Sequence, residues 1–486
     1  MTIAPAPSFP SYLDGDAAEC PSQLTQAIPD IRRTRRNDAY HCWQCTGIEP
    51  SSSLNNMNNS SGECCKEVET TDSFVGSYKL CTELSTWISK FNITQSAADA
   101  LLSTLRKCGH RDLPKTCRTL QRSLRNVEIT EKSSMQYVYL GLREELARIL
   151  ESFAKPVTDS VDTLDLALNV DGLPLFKSSK KSVWPVLCCI INILPHKVFP
   201  VALTYGNSKP LDLEFLKDTV HDLGFILRQG LVYKGKAYSV SLRCIVCDAP
   251  ARAMVKCVKL YSGYAGCDKC SLKGRYLGRM TYPDVKNLPL RTDEDFRSQT
   301  DTEHHMGYSP FCDLPINMID TFPIDYMHSV CLGVTKRLLL TWMRGPKEVR
   351  LSRLQIDQIS NRLLNLQKFV PSIFARKPRS LVEADRWKAT EFRQFLLYTG
   401  KISLKGILRP ELYDHFLVLS VAICILVSAN LTQKLCDYAN RLLQYFVDRS
   451  RHLYGDHFLV YNIHSLLHLS TDAYNFRGLK LLGFQI

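Results

Sequence analysis

The chain has 486 residues, roughly three times the ~150 that serve as a soft measure of one domain, so two or three folded units are expected. Its 61 Lys and Arg stand against 48 Asp and Glu, and the formal net charge of +13 suits a polyanionic partner. The longest apolar run, residues 416–429, is shorter than the ~20 residues that cross a hydrocarbon core, and the opening MTIAPAPSFPSYLDGD has no basic segment followed by an apolar one, so neither a membrane span nor a secretory leader is expected.

Without a leader, the 19 cysteines read as reduced thiols, and the C-x-x-C pairs among them as metal chemistry rather than bridges. Residues 1–75 mix Pro, Ser, Asn and Gly with the tract SSSLNNMNNSSGE and read as a disordered polar arm. Its basic cluster, Arg32, Arg33, Arg35 and Arg36, is either a nuclear-localisation or phosphate-contacting patch or a solvated charge run. His41, Cys42 and Cys45, with Cys64 and Cys65 further on, are candidates for a second, small zinc site, though no second C-x-x-C or H-x-x-x-H lies at finger spacing.

Residues 76–155 carry helical periodicity in LCTELSTWISKFNI, SAADALLSTLRKCG and VYLGLREELARILESF, and predict a small helical domain. The pattern then changes. TLDLALNVDGLPLF, SVWPVLCCIINIL and KVFPVALTYG read as three consecutive strands, LDLEFLKDTVHDLGFIL as a helix, and AYSVSLRCIVCDAP as a fourth strand ending at an aspartate. Three strands, a helix and a fourth strand open a ribonuclease-H-like mixed sheet, assigned to residues 156–256. Residues 257–478 read as a zinc knuckle and a long helical insertion, and 479–486 as the end of the chain. The apolar segment from Phe416, with its spacing continued through Leu431, Leu435, Leu442 and Phe446, predicts one long buried helix.

The acids of interest are Asp171 and Asp248. Asp171, in NVDGLPLF, is either a hairpin-turn residue or a carboxylate at a strand end, where Gly172 lets the chain turn. Asp248 follows the apolar LRCIVC. Ends of adjacent strands would bring the two together, as a two-metal nuclease requires of its Mg²⁺ or Mn²⁺ ligands. Glu391, flanked by Arg386, Lys388 and Arg393, is either a third carboxylate or a salt-bridged residue, and Asp325 with His328 either ligates a metal or caps the following helix.

Cys267 and Cys270 form a C-x-x-C in the Gly-rich YSGYAGCDKC, and His464 and His468 lie four apart in YNIHSLLHL, on one face of a predicted helix. Together they predict a closed, structural Cys2His2 zinc site that ties the end of the helical insertion to its start. Cys244 and Cys247, which lie within a predicted strand, and the adjacent Cys188 and Cys189 read as packing residues.

Taken in series, NVDGLPLF, WPVL, YGNSKP, CDAPA with CDKC, DYMHSVCLGV, RWKATEFRQFLLY and HSLLH resemble the CACTA/EnSpm-type transposases and their animal relatives, over about residues 80–478. The resemblance implies a DDE-type nuclease on a ribonuclease-H-like core, nuclear, acting on double-stranded DNA as transposon ends and target, with homo-oligomers common among its members. It places the first two acids at Asp171 and Asp248 and the zinc ligands at Cys267, Cys270, His464 and His468. The family's third acid is expected some twenty residues beyond the histidine pair, where this chain has already ended. The resemblance therefore implies a C-terminally truncated member, with Glu391 as a substitute acid or else a DNA-binding or regulatory protein that no longer cleaves.

Overall fold

Leu164 to Val170 is an unbroken apolar run but for Asp165 and Asn169, the pattern of a strand covered on both faces. In the computed structural model, which describes residues 72–91, 93–121, 128–175, 180–285 and 288–479, this run is the middle of a mixed sheet. The basic cluster at Arg32–Arg36, the Cys42/Cys45 pair and residues 480–486 lie outside the described residues.

The chain forms two compact units that part between Ile129 and Thr130. In the smaller one, helix α1 (Asp72–Lys90) precedes α2 (Gln95–Lys107), which starts where the Thr94 side chain accepts the amide of Ala97 at 3.3 Å. Ile88, Ala98, Leu102, Leu113, Cys117 and Leu120 are buried together, and Asp99 accepts the amide of Cys117 at 2.6 Å.

The larger unit begins earlier than the sequence pattern implies. Residues 130–155, assigned above to the helical domain, include a hairpin of β1 (Thr130–Lys132) and β2 (Met135–Tyr139), and only α3 (Leu142–Glu151) is helical as expected. The pairing of β2 with a later strand, β5, draws this segment into the sheet, which local periodicity could not foresee.

The sheet contains β3 (Thr163–Val170), β4 (Ser182–Ile190), β5 (Val198–Gly206), β6 (Leu231–Tyr233) and β7 (Lys236–Val246), with α4 (Lys217–Gln229) between β5 and β6. It is 8-stranded, in the order β1-β2-β5-β4-β3-β7-β6, with the short piece Leu173–Pro174 paired to β4. β4 and β5 run antiparallel to their neighbours, whereas β3 and β7 are parallel. The α/β reading therefore holds as a mixed sheet with helices.

Alternation along the central strands divides the unit into two cores. Leu166, Leu168 and Val170 of β3, with Ile245 and Cys247, face α3 and α4. Ala167, Cys244 and Val246 face the later helices. Because both faces are covered, slipping β3 by one position would not expose the apolar set but would carry Asp165 and Asn169 into the core under α3 and α4, burying polar groups without partners.

After β7 come α5 (Ala249–Val255), a π-helix (Met327–Thr335) running directly into α6 (Lys336–Arg344), α7 (Arg353–Leu366) and α8 (Ala389–Gln394). The expected single helix after Pro410 is instead a pair, α9 (Pro410–Leu426) and α10 (Gln433–Tyr454). Thr432 interrupts it by capping α10, its hydroxyl accepting the amide of Leu435 at 3.4 Å. Last are α11 (Tyr461–His464) and α12 (Leu466–Asn475).

Candidate carboxylate site and metal centre

The parallel register of β3 and β7 pairs Asn169 with Val246, and two positions further along each strand stand Asp171 and Asp248. Beyond β7, an isolated parallel bridge joins Cys247 to Ile324, which sets Asp325 beside Asp248 on the side away from Asp171. Three stretches far apart in sequence thus end side by side, each at an aspartate.

Each of the first two acids has one oxygen fixed by backbone. Asp171 Oδ1 accepts the amide of Gly172 at 2.7 Å, and Asp248 Oδ1 accepts that of Ala251 at 2.7 Å as the N-cap of α5. Their second oxygens accept no hydrogen bond among the described residues. Burial, and then the negative charge of Asp248, push the Asp171 carboxyl up to about 6. Gly172 is required here for a close approach, because a Cβ would lie 2.7 Å from the Trp184 ring.

Asp325 behaves as a cap: its Oδ1 accepts the amides of Met327 at 2.8 Å and His328 at 3.1 Å. Its Oδ2 lies 2.6 Å from His328 Nδ1. That bond, with smaller contributions from the charges of Asp171 and Asp248, pushes the imidazole up to about 9 despite its partial burial. Sequence reasoning left Asp325 and His328 undecided. No local signal shows that they join the carboxylate pair, since the juxtaposition is made by the bridge to β7.

Glu391 belongs to α8, which packs against the π-helix, but its carboxylate is committed to other partners. It is buried, Arg379 donates to both its oxygens, to Oε1 at 2.6 Å and to Oε2 at 3.0 Å, and Oε2 also accepts the amide of Lys388 at 2.8 Å as part of a capping arrangement. The sequence alternative of a salt-bridged residue describes its surroundings, although the residue is interior rather than on the surface.

Cys267, Cys270, His464 and His468 converge in the same unit, all buried, their ligand atoms within 4.8 Å of one another. Cys270 Sγ is 3.3 Å from His464 Nε2, Cys267 Sγ is 3.7 Å from His468 Nε2, and the two Nε2 atoms are 3.3 Å apart. A tetrahedral zinc with its usual bond lengths has ligand edges of about 3.3–3.8 Å, so the cluster could hold such an ion. Its donor set, two thiolates and two imidazoles, also suits zinc, and no position is left for water.

The histidines do not share one uninterrupted helix. α11 ends at His464, Ser465 forms the joint, and α12 carries His468. Ser465 Oγ lies 2.7 Å from Ser329 Oγ, joining the metal centre to the π-helix. Cys244 and Cys247 are buried among apolar neighbours and burial raises both thiols, as expected of packing residues.

A network of buried charges, which the sequence reading missed, surrounds the C-x-x-C turn. Asp268 meets Arg252 Nε at 3.0 Å and Lys256 Nζ at 3.4 Å, both cations coming from α5 and the residue that follows it. Although burial opposes its charge, the three cations Arg252, Lys256 and Lys269 hold the Asp268 carboxyl well below the usual carboxylate range. Only the unusual Asp-Lys pair inside CDKC hinted at this.

No protein-family model matches the chain, and no curated protein matches its sequence.

Proposed function

We propose that this chain is a transposon-derived protein of the CACTA/EnSpm type whose ribonuclease-H-like core cleaves and joins DNA strands at a divalent-metal site built on Asp171 and Asp248. The observation that supports this most is the parallel register of β3 and β7, which brings two half-buried acids, each with one uncommitted oxygen, to neighbouring strand ends. The sheet order, with three antiparallel-connected strands and a parallel β7 beside β3, fits a ribonuclease-H-like core.

Hard oxygen donors suit Mg²⁺ or Mn²⁺, and the Asp171 carboxyl, raised by burial first and by the charge of Asp248 second, is in surroundings that a cation would relieve. A metal held there would supply a lowered water pKa and a positive charge opposite the phosphate. Asp171 and Asp248 would hold it through their free oxygens, while the amides of Gly172 and Ala251 keep both carboxylates aimed by fixing the others. The net charge of +13 supports a polyanionic partner such as double-stranded DNA, through phosphate contacts that position rather than specify, and a nuclear setting follows only from the transposase reading.

The alternative is a transposase-derived DNA-binding or regulatory protein that does not cleave, favoured by the full commitment of Glu391 to Arg379 and Lys388. Purified chain should nick linear duplex in Mg²⁺ or Mn²⁺, and Asp171→Ala and Asp248→Ala should each abolish nicking while keeping zinc and DNA affinity. DNA binding without nicking in the parent chain selects the non-cleaving reading.

A further inference from the structure

We propose that His328 is a further catalytic residue, whose Nε2–H donates a hydrogen bond to a non-bridging oxygen of the DNA phosphate held at Asp171 and Asp248, with Asp325 as its positioning residue. The inference rests on the metal-dependent cleavage proposed above and adds a group that acts on substrate from outside the carboxylate pair.

Position comes first. The bridge between Cys247 and Ile324 fixes Asp325 next to Asp248, and the 2.6 Å contact from Asp325 Oδ2 to His328 Nδ1 ties the imidazole to that residue. Asp325 is itself held by two backbone amides, so it cannot swing away, and its own oxygens are used up. A carboxylate oriented in this way fixes which ring nitrogen faces the ligand.

Availability comes second. His328 Nε2 has no hydrogen-bond partner among the described residues, and the side chain is 47% exposed, so a bound molecule can reach it. The ring lies within electrostatic range of Asp171 and Asp248, and the Asp325 carboxylate at Nδ1 favours the ring with both nitrogens protonated. A cationic donor beside two carboxylates is suited to a phosphate diester, whose developing negative charge the carboxylates alone would repel.

Local backbone supplies a third observation. His328 lies in the nine-residue π-helix Met327–Thr335, a conformation found mostly as single turns and frequently at functional sites. The Ser329 to Ser465 contact and the close approach of Gly333 to Asn462, where a Cβ would lie 2.5 Å from the amide nitrogen, anchor this segment against α11 and the joint at Ser465.

The test uses the full chain with ¹⁵N-labelled histidine, loaded with zinc. Of its 12 histidines, the one whose signal disappears in His328→Gln is assigned, and a short duplex is added with Ca²⁺. The Nε2 resonance of His328 should move only when duplex and Ca²⁺ are both present, and should stay put in Asp325→Asn. In Mn²⁺, His328→Gln should nick about 10²–10³-fold more slowly than the parent at unchanged Mn²⁺ affinity and zinc content, and Asp325→Asn about tenfold more slowly.

A resonance unmoved by duplex, or a His328→Gln chain that nicks as the parent does, overturns the proposal. If the parent binds no Mn²⁺ at Asp171 and Asp248, and so does not cut, the metal-dependent reading fails, and the catalytic role of His328 falls with it. If the parent cuts and only the His328 predictions fail, the metal reading stands and His328 is a helix-capping partner of Asp325.

Discussion

Lys269, inside the C-x-x-C turn, donates to Asp472 Oδ1 at 2.9 Å, although 203 positions separate them, and both side chains are buried. The other oxygen of Asp472 accepts the amide of Ile324 at 2.7 Å, one residue before Asp325. Lys269 also donates to the carbonyl of Ile319 at 2.9 Å. The neighbouring Asp268 reaches the other way, to Arg252 on the helix that Asp248 caps. The two residues between the thiols therefore brace both strand ends, so the metal centre and the carboxylate site are mechanically one structure.

This bracing predicts an asymmetric response to mutation. Asp472→Asn keeps an acceptor for Ile324 but leaves Lys269 without its hydrogen-bonded carboxylate, with only Asp268, already shared by Arg252 and Lys256, as counter-charge, which should cost roughly 2–4 kcal/mol in denaturant unfolding. Adding Lys269→Met to it removes the stranded charge and should recover most of that loss. A double variant no more stable than the single one would show that Lys269 is compensated elsewhere.

Zinc should be stoichiometric and structural. Elemental analysis is expected to find about one zinc per chain contributed by Cys267, Cys270, His464 and His468, and Cys270→Ser or prolonged chelation should remove it. Because the ligands tie residues near the start of the helical region to its end, loss should lower Tm by on the order of 5–10 °C, a few kcal/mol in a unit this large. An unchanged melting curve after verified metal loss would leave the cluster without a structural role.

What the sequence made legible follows from range. The strand β3 announced itself by a continuous apolar run, and the Cys/His cluster that could hold a metal by two spacings that each suit a shared ion. Asp171 and Asp248 were visible as acids at strand ends. The hairpin Thr130–Tyr139 was not, since MQYVY is strand only because β5 lies beside it. Asp325 and His328 were visible as residues but not as neighbours of Asp248, because a single bridge at Ile324 decides it. The break between α9 and α10 was missed for the opposite reason: apolar spacing continued across it, and the Thr432 cap outweighed the pattern.

Glu391→Gln separates stability from chemistry. With both oxygens held by Arg379 and the Lys388 amide, the carboxylate serves the start of α8, and the substitution should lower stability by roughly 1–3 kcal/mol while leaving Mn²⁺ affinity and any nicking rate per folded molecule unchanged. A selective loss of nicking in a fully stable Glu391→Gln chain would return this residue to the list of candidate acids.

Acid sensitivity should come in part from His415 on α9. Burial, aided by the positive charge of Arg449, pushes its imidazole down to about 4 even though the Phe446 carbonyl, 2.9 Å from Nε2, favours the proton. The ring also stacks on Phe446 at 4.1 Å, so it is folded in as a neutral group. The unfolded chain, with an ordinary value near 6.5, binds the proton first as pH falls. Stability is thus complete above about pH 6.5, declines as pH drops toward 4, and loses about 3 kcal/mol in all through this one group. His304, likewise pushed down to about 4 by burial, shifts the parent in the same direction. Urea unfolding at pH 7.5, 5.5 and 4.5 should therefore show a steeper decline for the parent than for His415→Gln, which cannot take up a proton. Parallel declines would mean that His415 titrates in the folded chain as it does in the unfolded one.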